Sequence, residues 1–209
     1  MQFSSRSPPK IFCVNYNSFR AVAQLKVYVA FRVAKNYNRR RRSIELLIRI
    51  AGLVPESFVD GDGIRYAVFM QGCLRHCEGC HNPETHALDG GRLVDTDEIL
   101  AAIKKNPLLD GLTLTGGEPL LQVDAACELA HAVKNFGLNV WCYTGYTFEE
   151  IPAAAQPLLE NVDVLVDGAF VESLRDLDLQ FRGSSNQRII DVKKSRAQNK
   201  IVLWSEFVG

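Results

Sequence analysis

The feature that most constrains this chain is an alternation. Short apolar runs trade places with amphipathic stretches through residues 65–168. "RYAVFMQG" (65–72), "GLTLTGG" (111–117), "LNVWCYTGY" (138–146) and "VDVLVDG" (162–168) read as strands. Between them, "VDTDEILAAIKKN" (94–106) reads as a helix with Asp95 or Thr96 as cap, acids in its first turn and Pro107 beyond its end. "DAACELAHAVKNFG" (124–137) reads as a second helix, with Leu129, Val133 and Phe136 on one face and Gly137 at the stop. Residues 148–160 are helical but interrupted by Pro152 and Pro157. "IELLIRIAG" (44–52) is an earlier strand; "NQRIIDV" (186–192) and "KIVLW" (200–204) are late ones. This order predicts an α/β fold with a parallel sheet, open or curled into a partial (β/α) barrel.

In such folds chemistry collects at the carboxyl ends of the strands. Four polar or glycine-rich motifs lie there: a cysteine loop after 65–70, "TGGEP" after 112–115, "YTGY" after 138–142 and "VDG" after 162–166. Their shared position predicts that they line one site.

The cysteine loop, "QGCLRHCEGCHNPETH" (71–86), spaces Cys73, Cys77 and Cys80 as C-x3-C-x2-C. Three thiolates with His76 or His81 would complete a tetrahedral zinc site. Alternatively, three thiolates hold an iron–sulfur cluster and leave one iron open to a ligand. Spacing alone does not choose between them. Cys127 and Cys142 are scattered and read as small buried hydrophobes. With Cys13 they form no disulfide framework, which fits a reducing cytoplasm.

In "TGGEP" (115–119), Gly116 and Gly117 allow close backbone approach, and Glu118 accepts hydrogen bonds from an ammonium group. Such a loop suits a zwitterionic ligand. Thr144 and Asp167 end neighbouring strands, where each either contacts a ligand or stabilises a turn. "RGSSNQR" (182–188) is rich in donors and either orders the mouth of the site, meets a partner protein or forms a hydrogen-bonded turn.

Charge divides the chain. Lys plus Arg and Asp plus Glu number 24 each, yet ten of the basic residues and none of the acids fall in residues 1–43. That segment, with "LKVYVAFRV" (25–33) and "NYNRRRR", is expected to be a disordered extension or a start-site artefact. Nucleic-acid binding, an anionic membrane surface and a transit peptide are the other uses of such a composition; no nucleic-acid or membrane partner is expected. The body, 44–209, is expected to be the functional domain. No run of eighteen apolar residues occurs.

With these motifs assembled, the chain resembles the radical S-adenosylmethionine (SAM) superfamily. The flanking "SFVDGDGIRYAVFMQGC" and "CHNPETH" resemble glycyl-radical-enzyme activases. "WCYTGYTFEEI" and "VDVLVDGAFVESLRDLDLQFRGSSNQRIIDV" resemble the activating proteins of anaerobic ribonucleoside-triphosphate reductase, over about Ile48 to Trp204. That resemblance implies a [4Fe–4S] cluster on Cys73, Cys77 and Cys80, with SAM on the fourth iron. It implies Gly79, Cys80 and His81 beside SAM, and Gly116, Gly117 and Glu118 at its methionine end. Thr144 and Asp167 are the softer members of the set, at the ribose or a bound cation. It further implies a glycine of the reductase's large subunit as target, and reduced flavodoxin or a similar carrier as electron donor. Activation of another glycyl radical enzyme, such as pyruvate formate-lyase, is the alternative within the class. A zinc-stabilised binding module is the alternative outside it. Two residues depart from the pattern: Asp62 stands where proline is usual, and Gly79 where many superfamily members carry an aromatic, so adenine stacking is not expected there.

Overall fold

A computed structural model describes residues 46–205. The basic segment 1–43 and its strand-like stretch lie outside the described residues.

Seven strands form one sheet: β1 (Leu47–Ser57), β2 (Arg65–Met70), β3 (Arg92–Asp95), β4 (Gly111–Gly116), β5 (Asn139–Tyr143), β6 (Val164–Asp167) and β7 (Arg188–Asp191). Their order is β3-β1-β2-β4-β5-β6-β7. The centre, β2-β4-β5-β6, is parallel, as the alternation predicts. The flanks correct that expectation: β1 pairs antiparallel with both β2 and β3, and β7 pairs antiparallel with β6. The cause at β1 is chain length. Seven residues separate β1 from β2, too few for a parallel crossover but enough for a hairpin turn. β3 is a short strand that the sequence reading missed.

Four α-helices join or follow these strands: α1 (Thr96–Lys105), α2 (Val123–Asn135), α3 (Gln156–Leu159) and α4 (Val192–Gln198). The Asp95 carboxylate caps α1 by accepting from the Asp97 N–H at 2.9 Å. Asp97 and Glu98 sit in its first turn and Lys104 and Lys105 in its last, matching the helix dipole. Gly137, at φ +83°, turns the chain out after α2. Phe136, placed on the buried face by periodicity, is 40% exposed, because it is the C-cap and no longer follows the helical phase. The prolines split 148–160 into two 3-10 turns and the short α3. The expected strand at 200–204 is reduced to one bridge, Leu203 to Ile190. The unforeseen α4 takes up the preceding residues and ends at Asn199 in the left-handed region.

Side-chain alternation gives the sheet two unlike faces. One carries Val68, Met70, Leu112, Leu114, Val140, Cys142 and Leu165, which pack with Ile99, Ile103, Leu129 and Val133 of α1 and α2. The other carries Trp141, Val164 and Val166, covered by Phe181, Ile189 and Trp204. Arg65 is buried on this second face. Its donors reach Thr113 Oγ1, Asn139 Oδ1 and the Asp62 and Leu112 carbonyls. Its guanidinium lies 5.7 Å from the Trp141 ring centroid. Burial without a directly paired carboxylate lowers its pKa to about 10. Helices thus occupy one face, and the second face opens at its carboxyl end.

Candidate functional site

A cleft of about 620 Å³ opens where β2, β4, β5 and β6 end. Cys73, Cys77 and Cys80 line it, together with His81, Gly116, Gly117, Glu118 and Thr144. Three of the four strand-end motifs therefore contribute named site residues to one wall. From the fourth, only Gly168 of "VDG" reaches it.

The cysteine loop is built largely from main-chain bonds. Gly72 N–H donates to the Thr85 carbonyl at 2.8 Å, and Cys73 N–H to the His86 carbonyl at 3.2 Å. Gln71, buried, sends its side-chain amide to the Ala87 carbonyl at 2.7 Å. The loop is fastened to the glycine motif as well. Gly117 N–H donates to the Met70 carbonyl and Glu118 N–H to the Gly72 carbonyl, each at 2.8 Å. A Cβ on Gly117 would stand 2.4 Å from Gly72 O, and one on Gly116, at φ +91°, 2.7 Å from Met70 N. The close backbone approach expected of these glycines is made to the protein's own chain.

Cys73, Cys77 and Cys80 are free and half-buried. Burial pushes the Cys73 thiol above its ordinary value, opposed by the backbone N–H groups of Arg75 and His76 and aided by the charge of Glu118. Among the described residues, no three His, Cys, Asp or Glu side chains are gathered closely enough to hold a single metal ion.

Glu118 is 1% exposed. Its Oε1 accepts from Leu120 N–H at 3.0 Å and from the Thr144 hydroxyl at 2.9 Å; its Oε2 accepts from Gly145 N–H at 2.9 Å. An ionised carboxylate offers about four acceptor positions. Three are taken, and the spare one belongs to Oε2. Burial raises the Glu118 pKa above its ordinary value, while these donors and nearby Arg75 pull it down.

The other expected residues are placed unevenly. Thr144 reaches the cleft, but its hydroxyl donates to Glu118 and accepts from Tyr146 N–H at 3.1 Å. His81 packs on Phe170, ring centroids 4.7 Å apart. His76 is exposed at φ +47° and meets His86 edge-on at 4.9 Å. Gly79 and Asp167 are not part of the cleft wall. Gly79, at φ +67°, lies against the Glu172 carboxylate. Asp167 is buried and accepts from Phe148 N–H at 2.7 Å and from both Nε and a terminal nitrogen of Arg188. The 182–188 segment is a hydrogen-bonded turn around Gln187. The Gln187 side-chain oxygen takes Gly183 N–H at 2.8 Å, and its amide nitrogen donates to the Gly168 carbonyl at 3.0 Å.

Several lining residues were not singled out in the sequence, Arg75 and Tyr143 among them. Arg75 sits between the first two cysteines, 4.0 Å above the Tyr146 ring and 3.5 Å from Glu150. Tyr143 ends β5 next to Thr144. Position was the available signal for both: one lies inside the thiol loop, the other at a strand's carboxyl end.

The family profile described as "4Fe-4S single cluster domain" matches residues 59–190. Three proteins named anaerobic ribonucleoside-triphosphate reductase-activating protein are similar over most of their length. The Vibrio cholerae protein is 37% identical over 143 residues, 65% of this chain and 92% of its own. The Salmonella typhimurium protein is 36% identical over 142 residues, 64% of this chain and 92% of its own. The Escherichia coli K12 protein is 34% identical over 141 residues, with the same two shares of 64% and 92%. A crystal structure of QueE from Escherichia coli aligns with a TM-score of 0.39 at 18% identity, over 48% of this chain and 54% of that one, too loosely to bear on the fold.

Proposed function

We propose a function from one premise: the chain belongs to the 4Fe–4S single cluster domain family and, within it, to the anaerobic ribonucleoside-triphosphate reductase-activating proteins. The reading is that 44–209 is a radical SAM activase that installs a glycyl radical on the large subunit of that reductase. Its parallel strands β2, β4, β5 and β6 form the partial (β/α) barrel of that class. It works in a reducing cytoplasm with flavodoxin or a similar low-potential donor.

The observation that carries the reading is the meeting of two unlike donor sets in one cleft. Cys73, Cys77 and Cys80 supply soft thiolate ligands, and among the described residues no fourth cysteine lines the cleft. Glu118 supplies a buried carboxylate with one acceptor position unspent. A four-iron cluster is broader than one ion, so its ligands need not converge as zinc ligands do. When bound, the cluster, which Cys73, Cys77 and Cys80 would hold, and SAM, whose ammonium Glu118 would receive, would supply one-electron hydrogen-atom-abstraction chemistry at this cleft.

The chain's own residues do the positioning. Glu118 receives the ammonium of SAM, and Thr144 and Gly145 hold the carboxylate in place for it. Gly116 and Gly117 keep this carboxylate beside the thiol loop. His81, backed by Phe170, lines the cleft next to the third thiol, where it would pass beside SAM. Asp167 acts through Arg188 on the strand end and touches no ligand.

Anaerobic reconstitution with iron and sulfide, then dithionite and SAM, tests the reading. Expected are 5′-deoxyadenosine that depends on all three cysteines, and a reductase-centred glycyl radical by electron paramagnetic resonance. Deoxyadenosine without that radical would move the partner to another glycyl radical enzyme. A colourless protein holding one zinc would overturn the reading.

A further inference from the structure

The mouth of the cleft carries bare apolar side chains that neither the core nor the proposed chemistry uses. Phe58 and Val59 open the turn between β1 and β2; they are 67% and 77% exposed, and both line the cleft. Leu177 stands in the connection between β6 and β7 and is 84% exposed. Two residues on, Leu179 lines the cleft, as does Phe181. A lone exposed leucine is ordinary. Apolar side chains gathered at the mouth of a cleft mark a binding surface.

The two segments meet over one ring. A Cβ on Gly61 would stand 2.8 Å from Trp141 Cδ2, so the β1–β2 turn rests on the indole. Phe181 packs edge-on against the same indole, 5.3 Å between centroids. The β6–β7 connection is also tied to itself. Asp176 N–H donates to the Gly183 carbonyl at 3.3 Å, and Ser185 N–H to the Leu174 carbonyl at 2.9 Å. At its tip the Asp178 N–H donates to Asp176 Oδ1 at 2.9 Å, a local turn with Leu177 at its centre. Such positions ordinarily carry polar residues or glycine, and nothing in the packing calls for a leucine there. The apolar mouth is therefore preformed.

Charge narrows the occupant. Asp176 and Asp178 flank Leu177, are exposed, and make no ion pair among the described residues. The neighbouring cations are engaged: Arg175 pairs with Glu172 at 3.7 Å, and Arg182 donates to the Gln187 carbonyl at 2.8 Å. Asp60 adds a further acid to the cleft wall. An occupant with apolar side chains beside a lysine or arginine suits both properties, whereas an acidic one is repelled. A hydrogen atom can be taken only from a group that enters the cleft, so the main chain of a protein target must cross this mouth.

We infer that Phe58, Val59, Leu177 and Leu179 dock the glycine-bearing segment of the reductase large subunit, and that this segment carries apolar side chains next to basic ones. The inference rests on the proposed activase function and deepens it by describing the chemistry of the segment.

The test uses the reconstituted full chain, SAM and the reductase large subunit. Val59→Ser and Leu177→Ser alter side chains that face water, so both variants should melt with the parent. Each should raise the KM for the large subunit in radical formation about fivefold or more, with SAM affinity unchanged. Asp178→Lys should raise that KM as well, and added salt should raise the parent's. An unchanged KM in both serine variants overturns the inference. So does weaker SAM binding in either, which assigns the patch to the cofactor. A shift from dimer to monomer in sedimentation, with KM unchanged, assigns the patch to a second copy. Serine effects that vanish on deletion of residues 1–43 assign it to the chain's own extension. Either result sinks the docking claim. An unchanged or lower KM in Asp178→Lys removes the basic character of the segment. If the parent places no radical on the reductase, the function itself fails; if the parent does and the serine variants match it, this inference alone fails.

Discussion

Glu118 concentrates the electrostatics of the cleft in a single side chain. Its folded pKa lies above the ordinary value of 4.5, chiefly through burial. The folded state therefore holds that proton more tightly than the unfolded state. Stability falls as pH rises from about 4.5 through the raised pKa, and the loss persists above it. Glu118→Gln removes the titrating proton. The difference in unfolding free energy, parent minus variant, should decline over that window in pH-dependent urea melts. On the proposed function, SAM binding to reconstituted Glu118→Gln should weaken at least tenfold, because a charge-assisted bond to the ammonium would be lost. Thiol chemistry gives a second expectation. Cys142 is fully buried with its pKa pushed far up, whereas Cys73, Cys77 and Cys80 are half-exposed. Alkylation of native apoprotein at pH 8, read by peptide mass spectrometry, should label the three loop cysteines and spare Cys142. That the loop cysteines and Glu118 share one cleft was legible in the sequence, because their motifs follow neighbouring strands of a parallel group. Thr144 and Asp167 were not separable there. Only contacts across distant segments distinguish a hydroxyl that braces Glu118 from a carboxylate held by Arg188.

Among the elements, the exits of β2 and β4 matter most, since each holds the other's loop. Gly117→Ala and Gly116→Ala would drive a methyl into the backbone of Gly72 and of Phe69–Met70. Each should cost roughly 2–3 kcal/mol in urea unfolding and lower the iron retained after reconstitution. At the other side of the parallel group, Arg188 ties β7 to Asp167 of β6 and to Glu149, at 2.7 Å. Arg188→Ala strands the buried Asp167 carboxylate. The cost should be about 2 kcal/mol, below that of a fully buried pair because Arg188 and Glu149 reach solvent. The central strands and both long helices could be read from the sequence, because period and caps agreed. The antiparallel flanks could not. Pairing direction depends on how far the chain travels between strands, and apolar pattern says little about that for strands as short as β3 and β7.

For the whole described body, the two sheet faces have different work. The helix-covered face is a continuous apolar core, and the other carries a filled base beneath the cleft. Ligands that join the thiol loop to the Glu118 loop should therefore tighten the cleft rim without altering the core. Hydrogen exchange should slow at 72–81 and 117–118 on reconstitution with SAM, while amides of Leu112, Val140 and Leu165 exchange only through global unfolding in both states. The union of the two loops is made by peptide groups, Gly117 to Met70 and Glu118 to Gly72. Side chains between the thiols are thereby released from structural duty where they face water, as Leu74 and Glu78 do. A library randomised at those two positions should keep loading iron with almost any pair of letters, whereas the spelling at Gly117 admits no synonym.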